Sequence, residues 1–96
     1  MGMESFVMLH PEPLTHRLLL TAAHGLAENP LTSYPATEDR PAALVVKCKR
    51  VEATDFGLIR LVLVEDGQRP AVAVRPELVA GILDTKERLP AGFLSD

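Results

Sequence analysis

The stretch EATDFGLIRLVLVEDGQRPAVAV, residues 52–74, decides the predicted fold of this chain. It contains two runs rich in β-branched residues and leucine, GLIRLVLVE and AVAV, a composition typical of β-strands. Asp66-Gly67 lies between them, and this dipeptide is the strongest short-range signal for a two-residue hairpin turn. The stretch therefore predicts an antiparallel hairpin at the centre of a small sheet.

Asp55-Phe56-Gly57, near the start of the same stretch, has the sequence of the magnesium-binding triplet of protein kinases. A kinase site also requires a glycine-rich loop, a strand lysine and a catalytic loop within a much longer chain. The 96 residues contain none of these elements, so we interpret the triplet as part of a turn. The turn joins GLIRLVLVE to a preceding predicted strand, ALVVKCKRVE at residues 43–52, and a two-residue turn at Thr54-Asp55 sets the expected register.

The two turns sort the side chains of three predicted strands into two faces, because side chains alternate with a period of two residues. The expected cross-strand pairs are Ile59 with Val74, Leu61 with Val72, and Lys49 with Arg60. One face is apolar and is expected to form the core: Leu44, Val46, Cys48, Ile59, Leu61, Leu63, Val72 and Val74. The second face is half apolar and half cationic: Val45, Lys47, Lys49, Val51, Leu58, Arg60, Val62, Val64, Ala71, Ala73 and Arg75.

Two helices are expected to cover the apolar face. The first is PEPLTHRLLLTAAHGLAENP, residues 11–30, with Pro13 in its first turn and Asn29-Pro30 at its end. The second is RPELVAGILDTKERLP, residues 75–90, with Pro76 at its first position. Its expected apolar stripe consists of Leu78, Val79, Ile82 and Leu83, and Pro90 ends it.

The remaining segments complete a single α+β domain over residues 1–96. SFVMLH, residues 5–10, is predicted as a short strand that extends the sheet in one version of the fold. Residues 29–43 are predicted as a long proline-rich loop, and residues 1–4 and 90–96 as loose termini. The predicted fold is a three-stranded antiparallel meander with two helices packed on one face, in the order (β)-α-β-β-β-α.

The predicted order of a helix, three antiparallel strands and a second helix resembles that of double-stranded-RNA-binding domains. Those domains have a lysine-rich start to their second helix. Here that start is Arg75-Pro76-Glu77-Leu78, and no lysine follows until Lys86. The resemblance is one of topology, which implies no site residue in this chain.

Composition and charge limit the classes of function. The net charge of −3 excludes a uniformly basic nucleic-acid coat. The single cysteine, Cys48, excludes an intramolecular disulfide and favours a reducing, cytoplasmic location. The N-terminus has no cationic segment leading into an apolar run, and no apolar run has the length of a membrane span, so we expect neither a signal peptide nor a membrane partner.

No group of residues in the sequence predicts catalysis, a cofactor or a metal site. Cys48 falls on the apolar face, where burial leaves a thiol inert. The three histidines, His10, His16 and His24, are six and eight residues apart, so they lack the i, i+3 or i+4 spacing of a helical metal site. We therefore expect a protein that is not an enzyme.

The second face is the candidate functional surface, with Lys47, Lys49, Arg60, Val62, Val64 and Arg75 as its candidate residues. It fits a solvated face whose lysine and arginine stems shield apolar neighbours, an interface with a second copy or another protein, or a surface for phosphate groups. Its apolar content favours association, since two helices cover only one side of a sheet.

The leading hypothesis is a non-enzymatic, cytoplasmic interaction module that forms a homodimer, or binds another protein, through the second face or a sheet edge. The alternative is a nucleic-acid-binding or regulatory domain that uses Lys47, Lys49, Arg60 and Arg75. Tyr34, the single tyrosine, is predicted to make a contact from the proline-rich loop, either for recognition or to fix the loop to the body of the protein.

Overall fold

The computed structural model describes residues 4–64 and 70–85. These residues form one α-helix and seven strands in two antiparallel sheets. The elements are β1 (Glu4–Leu9), α1 (Pro13–Ala23), β2 (Leu31–Tyr34), β3 (Ala43–Cys48), β4 (Arg50–Ala53), β5 (Ile59–Val62), β6 (Ala71–Val74), a 3₁₀ turn (Pro76–Leu78) and β7 (Val79–Thr85). The first sheet has the strand order β2-β3-β1-β7 and the second has the order β4-β5-β6.

One continuous extended segment joins the two sheets. β3 pairs with β1 and β2 in the first sheet, and β4 pairs with β5 in the second. The chain bends at Lys49 between them, where the Lys49 backbone N–H donates to the Val62 carbonyl at 2.8 Å. The predicted strand at residues 43–52 is therefore extended as expected, but it serves two sheets, as strands do at the corners of packed sheets.

The predicted fold class is wrong, because only one of the two expected helices is present in the described residues. In place of the second helix the chain makes the short 3₁₀ turn and then β7, which pairs with β1. Val79 and Ile82 are β-branched, and Gly81 disfavours a helix interior, so local preference agrees with a strand. Residues 86–90 of the predicted helix lie outside the described residues.

The first sheet contains the predicted strand at residues 5–10, as β1, and one strand that the prediction missed. β1 lies at its centre, between β3 and β7, rather than extending a meander. The proline-rich segment predicted as a loop contains β2, which pairs with β3 so that Leu31 lies opposite Val46. Of the predicted loose terminus at residues 1–4, Glu4 is instead the first residue of β1; residues 1–3 and 90–96 lie outside the described residues.

The register of the β5–β6 hairpin is as expected from a turn at Asp66-Gly67. Ile59 lies opposite Val74 and Leu61 opposite Val72. Residues 65–69, which include that turn, lie outside the described residues.

The register of the β4–β5 hairpin differs from the expected one. Val51, not Cys48, lies opposite Leu61, and Glu52, not Lys49, lies opposite Arg60. The bend at Lys49 breaks the alternation of side chains, so Val51 packs against the core. The repulsive lysine–arginine pair that the sequence predicts is replaced by a cross-strand pair of opposite charge, which is favourable.

The Asp55-Phe56-Gly57 triplet is a turn, as predicted. Gly57 has φ of 80°, a conformation that glycine adopts without strain. Its N–H donates to the Thr54 carbonyl at 3.2 Å, and the Thr54 N–H donates to the Leu58 carbonyl at 3.0 Å. The Phe56 side chain is 90% exposed, so the triplet forms the tip of the β4–β5 hairpin.

Helix α1 begins where the sequence predicts but ends earlier. The Glu12 carboxylate accepts hydrogen bonds from the backbone N–H groups of Leu14 and Thr15 and caps the first turn. The helix ends at Ala23, ahead of Gly25 with φ of 91°, and not at residues 29–30. Left-handed glycine is a common helix terminator, and it acts here before the proline does.

The core lies between the two sheets and α1, and it contains the predicted apolar face. Seven of the eight expected residues are in the buried cluster, and Ile59 packs against it. The cluster also includes residues from segments outside the predicted meander: Val7, Leu9, Leu19 and Leu78. In the described part of the chain, no helix is long and apolar enough to cross a membrane.

Candidate functional site

The structure divides the predicted second face between the two sheets. Three of its candidate residues, Lys47, Lys49 and Val64, line one pocket. Arg60 and Val62 lie on β5 of the second sheet, and Arg75 lies between β6 and the 3₁₀ turn. The structure therefore brings half of the candidate residues together at one pocket; the other half do not line it, and Val62 is buried.

The pocket, called here the lysine pocket, has a volume of about 270 Å³. It is lined by Glu4, Leu26, Ala27, Glu28, Pro30, Lys47, Lys49, Leu63 and Val64. β1 and β3 supply charged residues at one side, while the segment between α1 and β2 supplies another wall. The lining thus combines apolar side chains with two lysines and two glutamates.

Each lysine of the pocket faces a carboxylate of the same chain. Lys49 Nζ lies 2.9 Å from Glu4 Oε2, and the Glu4 side chain is 18% exposed. Lys47 Nζ lies 3.5 Å from Glu28 Oε1, and the Glu28 side chain is 85% exposed. Exposed ion pairs contribute little to stability, so the second pair is the weaker one and its partners separate readily.

The other notable surface is the side of β7 that faces away from β1. Among the described residues, β7 pairs only with β1. Its Ile82 and Leu83 side chains are 50% and 38% exposed. Its one acidic residue, Asp84, accepts a hydrogen bond from Ser5 Oγ at 2.7 Å, so that charge is held against β1.

An apolar groove of about 200 Å³ lies beside this strand. Its lining consists of Phe6, Met8, Val45, Gly81, Ile82 and Leu83. A Cβ atom built on Gly81 would meet no atom within 4 Å. The groove is open above Gly81 because this residue has no side chain.

Sequence reasoning missed the residues of this strand, since it assigned them to a helix. The composition of VAGILDT contained the signal: three of its seven residues are β-branched, which favours a strand, and its glycine disfavours a helix interior. The neighbouring Pro76 and Glu77 outweighed it, because both are typical of a first helical turn.

Tyr34 lies on β2 rather than in a loop. It is half-buried, and the Arg40 guanidinium lies 5.9 Å from the centre of its ring. Arg40 Nη1 also donates to the Pro35 carbonyl at 2.9 Å. Together these contacts shape the connection between β2 and β3, as a cation–π contact can.

Cys48 is buried, as the sequence predicts, and its thiol has no exposed surface. Burial, with a smaller contribution from the charge of Glu4, raises the pKa of the Cys48 thiol to about 12. The thiol is therefore neutral over the physiological range, and its nucleophilic form is scarce.

Two of the three histidines, His16 and His24, line an open depression along α1 together with Arg17. His10 lies apart from them, where its N–H donates to the Leu78 carbonyl at 2.8 Å. Over residues 4–64 and 70–85, no three histidine, cysteine or acidic side chains are placed to hold a metal ion.

Comparison of the chain with protein-family models, with curated proteins and with solved structures gives no match.

Proposed function

We propose that the protein is a non-enzymatic interaction module that forms a homodimer through β7. The observation that carries this proposal is a strand edge that pairs with no further strand among the described residues and has exposed apolar side chains beside an apolar groove. Such an edge offers backbone N–H and C=O groups to another strand, and adding a strand is a recurrent mode of association.

A second copy of β7 fits this edge in an antiparallel arrangement about a two-fold axis. With Ile82 opposite its own copy, Leu83 of each copy lies opposite Gly81 of the other. The open space above Gly81 then receives a leucine side chain, and the apolar layer formed by Phe6 and Leu83 continues across the pair. A two-fold interface requires this kind of self-complementarity.

The charges of β7 are compatible with such a pair. In this register Asp84 of one copy lies opposite Ala80 of the other, so like charges are not brought together. Like charges directly opposite each other would destabilise the sheet. Two strands and a shallow groove form a small interface, for which we expect dissociation at roughly micromolar concentration.

The other edges of the described sheets are less suited to pairing. β2 and β6 both contact α1, which restricts access to them. β4 has four residues, and its Arg50 and Glu52 form an ion pair with an N–O distance of 3.1 Å. Short and charged edges are typical of strands protected from association.

The test is molar mass by light scattering on a sizing column over a range of concentrations. We expect a dimer for the parent chain and a monomer for Ile82→Lys, because a lysine at the edge opposes strand addition. Ala53→Lys is the matched control: it places the same charge on an exposed strand residue of β4 and should remain dimeric. A parent chain that stays monomeric at several hundred micromolar would refute the proposal.

The nucleic-acid alternative has less support. Two of its four cations face carboxylates of the same chain, Lys47 with Glu28 and Lys49 with Glu4, which reduces the positive charge available to phosphate. The same column tests it through absorbance at 260 nm, since one tyrosine and no tryptophan give the chain little signal of its own. A cytoplasmic location is part of our proposal and is supported by the single, buried cysteine.

A further inference from the structure

We infer that the lysine pocket binds a small amphipathic carboxylate, with Lys47 as the residue that receives its charged group. This site goes beyond the proposed homodimer. The residues that line the pocket and those that line the groove beside β7 do not overlap. Substitutions in the pocket can therefore be tested without changing the residues of the proposed dimer interface.

The base of the pocket is suited to an apolar group. Leu63 is 6% exposed and belongs to the core cluster, while Leu26 and Val64 pack against that cluster. Pro30 is buried immediately before β2. Small-molecule sites typically combine such an apolar lining with a few charged or polar groups that orient the ligand.

Glu28 occupies the position that we assign to the ligand's carboxylate. Its side chain is 85% exposed and lies 3.5 Å from Lys47 Nζ, so solvent screens the pair and little is lost when it separates. Glu28 also lies on the short segment after Gly25, whose φ is 91°. A ligand carboxylate that reaches Lys47 from inside the pocket replaces Glu28, which then turns to solvent.

The second ion pair of the pocket does not exchange in this way. Glu4 is on β1 at the centre of the first sheet, and its side chain is 18% exposed with Oε2 at 2.9 Å from Lys49 Nζ. Separating it would leave a largely buried carboxylate without its partner, which is unfavourable. We therefore assign a structural role to the Glu4–Lys49 pair and a binding role to Lys47.

The volume limits the size of the ligand. At about 270 Å³ the pocket is just below the usual range for drug-sized ligands, roughly 300–1,000 Å³. A carboxylate with a short aliphatic chain or a single ring fits this space. A ligand with so few atoms binds weakly, at roughly millimolar concentration.

The experiment is a titration of the ¹⁵N-labelled protein with sodium hexanoate, followed by amide chemical shifts, with hexanamide as the neutral ligand of the same shape. We expect hexanoate to shift residues 26–29, 47 and 63–64 with a saturable curve, and hexanamide to bind at least tenfold more weakly. Absence of saturable shifts up to high millimolar hexanoate would overturn the inference. Equal binding of the amide would overturn the assignment of a carboxylate site.

Two variants give opposite expectations. Lys47→Gln should weaken hexanoate binding by roughly tenfold, whereas Glu28→Gln should strengthen it severalfold, because the internal competitor is lost. A gain of affinity cannot result from misfolding, so the second variant protects the test from a folding artefact. Glu38→Gln, at an exposed position outside the pocket, is the control and should not change binding. Weaker binding by Glu28→Gln would contradict the competition.

Discussion

The two edges β4 and β7 have the same backbone chemistry but opposite surface character. β4 has four residues and presents Arg50 and Glu52, which pair with each other. β7 has seven residues and presents Ile82 and Leu83, both substantially exposed. Natural sheets protect their edges with short strands and charged side chains. β4 follows that rule and β7 does not, which is why we assign association to β7.

The first prediction has the largest expected effect: the native thiol of Cys48 is unreactive in the folded chain. Cysteines introduced at the two edges can then be compared without interference from it. Cys48 lies where the chain leaves the first sheet, and burial raises the pKa of its thiol from 9.0 to about 12. This higher pKa reduces the thiolate fraction near pH 8 roughly a thousandfold. We expect Ellman's reagent to react with the folded chain slower than with the urea-unfolded chain by at least this factor.

The pH dependence of stability has a defined sign for the same thiol. The folded pKa is raised, so the stabilisation is present below the unfolded value of 9.0 and is lost as pH rises towards about 12. Denaturant melts between pH 8 and pH 11 should show this loss in the parent chain and a smaller one in Cys48→Ala.

In the experiment with Ellman's reagent, equal reaction rates for folded and unfolded chains would show that Cys48 is accessible and would invalidate cysteine scanning of the edges.

The second prediction compares the edges directly. In the proposed dimer Ile82 lies opposite its own copy, at a Cβ separation of roughly 5 Å, so Ile82→Cys should form an intermolecular disulfide under mild oxidation. Ala53→Cys on β4 places an exposed thiol on the other edge, without a partner. We expect the first to cross-link roughly a hundredfold faster at equal concentration, because pairing raises the effective thiol concentration. Equal rates on a non-reducing gel would remove the distinction between the edges.

The second sheet was predictable in its strands and in the β5–β6 register, but not in the β4–β5 register, because only the first two depend on local patterns. The β5–β6 register follows from the alternation of Ile59 and Leu61 with Val72 and Val74 about one turn signal. The core face followed from the same alternation. The bend at Lys49 was not predictable from alternation, since it depends on one extended segment pairing with β1 through β3 and with β5 through β4.

The first sheet was not predictable because its contacts join distant segments. β1 receives β7 from the far end of the chain, with Phe6 opposite Leu83, and no local pattern specifies that pairing. For 75–85, local signals for a helix and a strand conflicted, and the side of β1 that β3 leaves unpaired favours the strand. The lysine pocket shows the same limit: Lys47 and Lys49 were candidates from the sequence, but Glu4 and Glu28 entered only through the fold.

The third prediction asks whether charge or length protects β4. The double substitution Arg50→Val and Glu52→Val removes the ion pair and makes this edge apolar. It should be made in the Ile82→Lys background, so that β7 does not contribute. We expect the concentration at which half of the chains are associated, measured by light scattering, to fall roughly tenfold. A chain that stays monomeric would show that the shortness of β4, rather than its charges, protects it.

The last prediction separates stability from association and has the smallest expected effect. Hydrogen bonds from the Thr15 side chain and then from the Leu14 and Thr15 backbone N–H groups lower the pKa of the Glu12 carboxyl. A lowered folded pKa gives stability that is present above the unfolded value and is lost as pH falls through the folded one. Glu12→Gln should therefore lower the melting temperature slightly at pH 7, and by less as the pH falls towards the folded pKa.

Glu12 caps α1 and does not belong to either edge, so Glu12→Gln should leave the dimer intact at pH 7. Suppose that Glu12→Gln stays dimeric while Ile82→Lys is monomeric and melts at the same temperature as Glu12→Gln or higher. The edge residue then acts on association and not on folding. If instead Glu12→Gln dissociates the dimer, loss of stability alone is enough to separate the copies. The effect of Ile82→Lys would then no longer identify β7 as the interface, and only the cysteine comparison could do so.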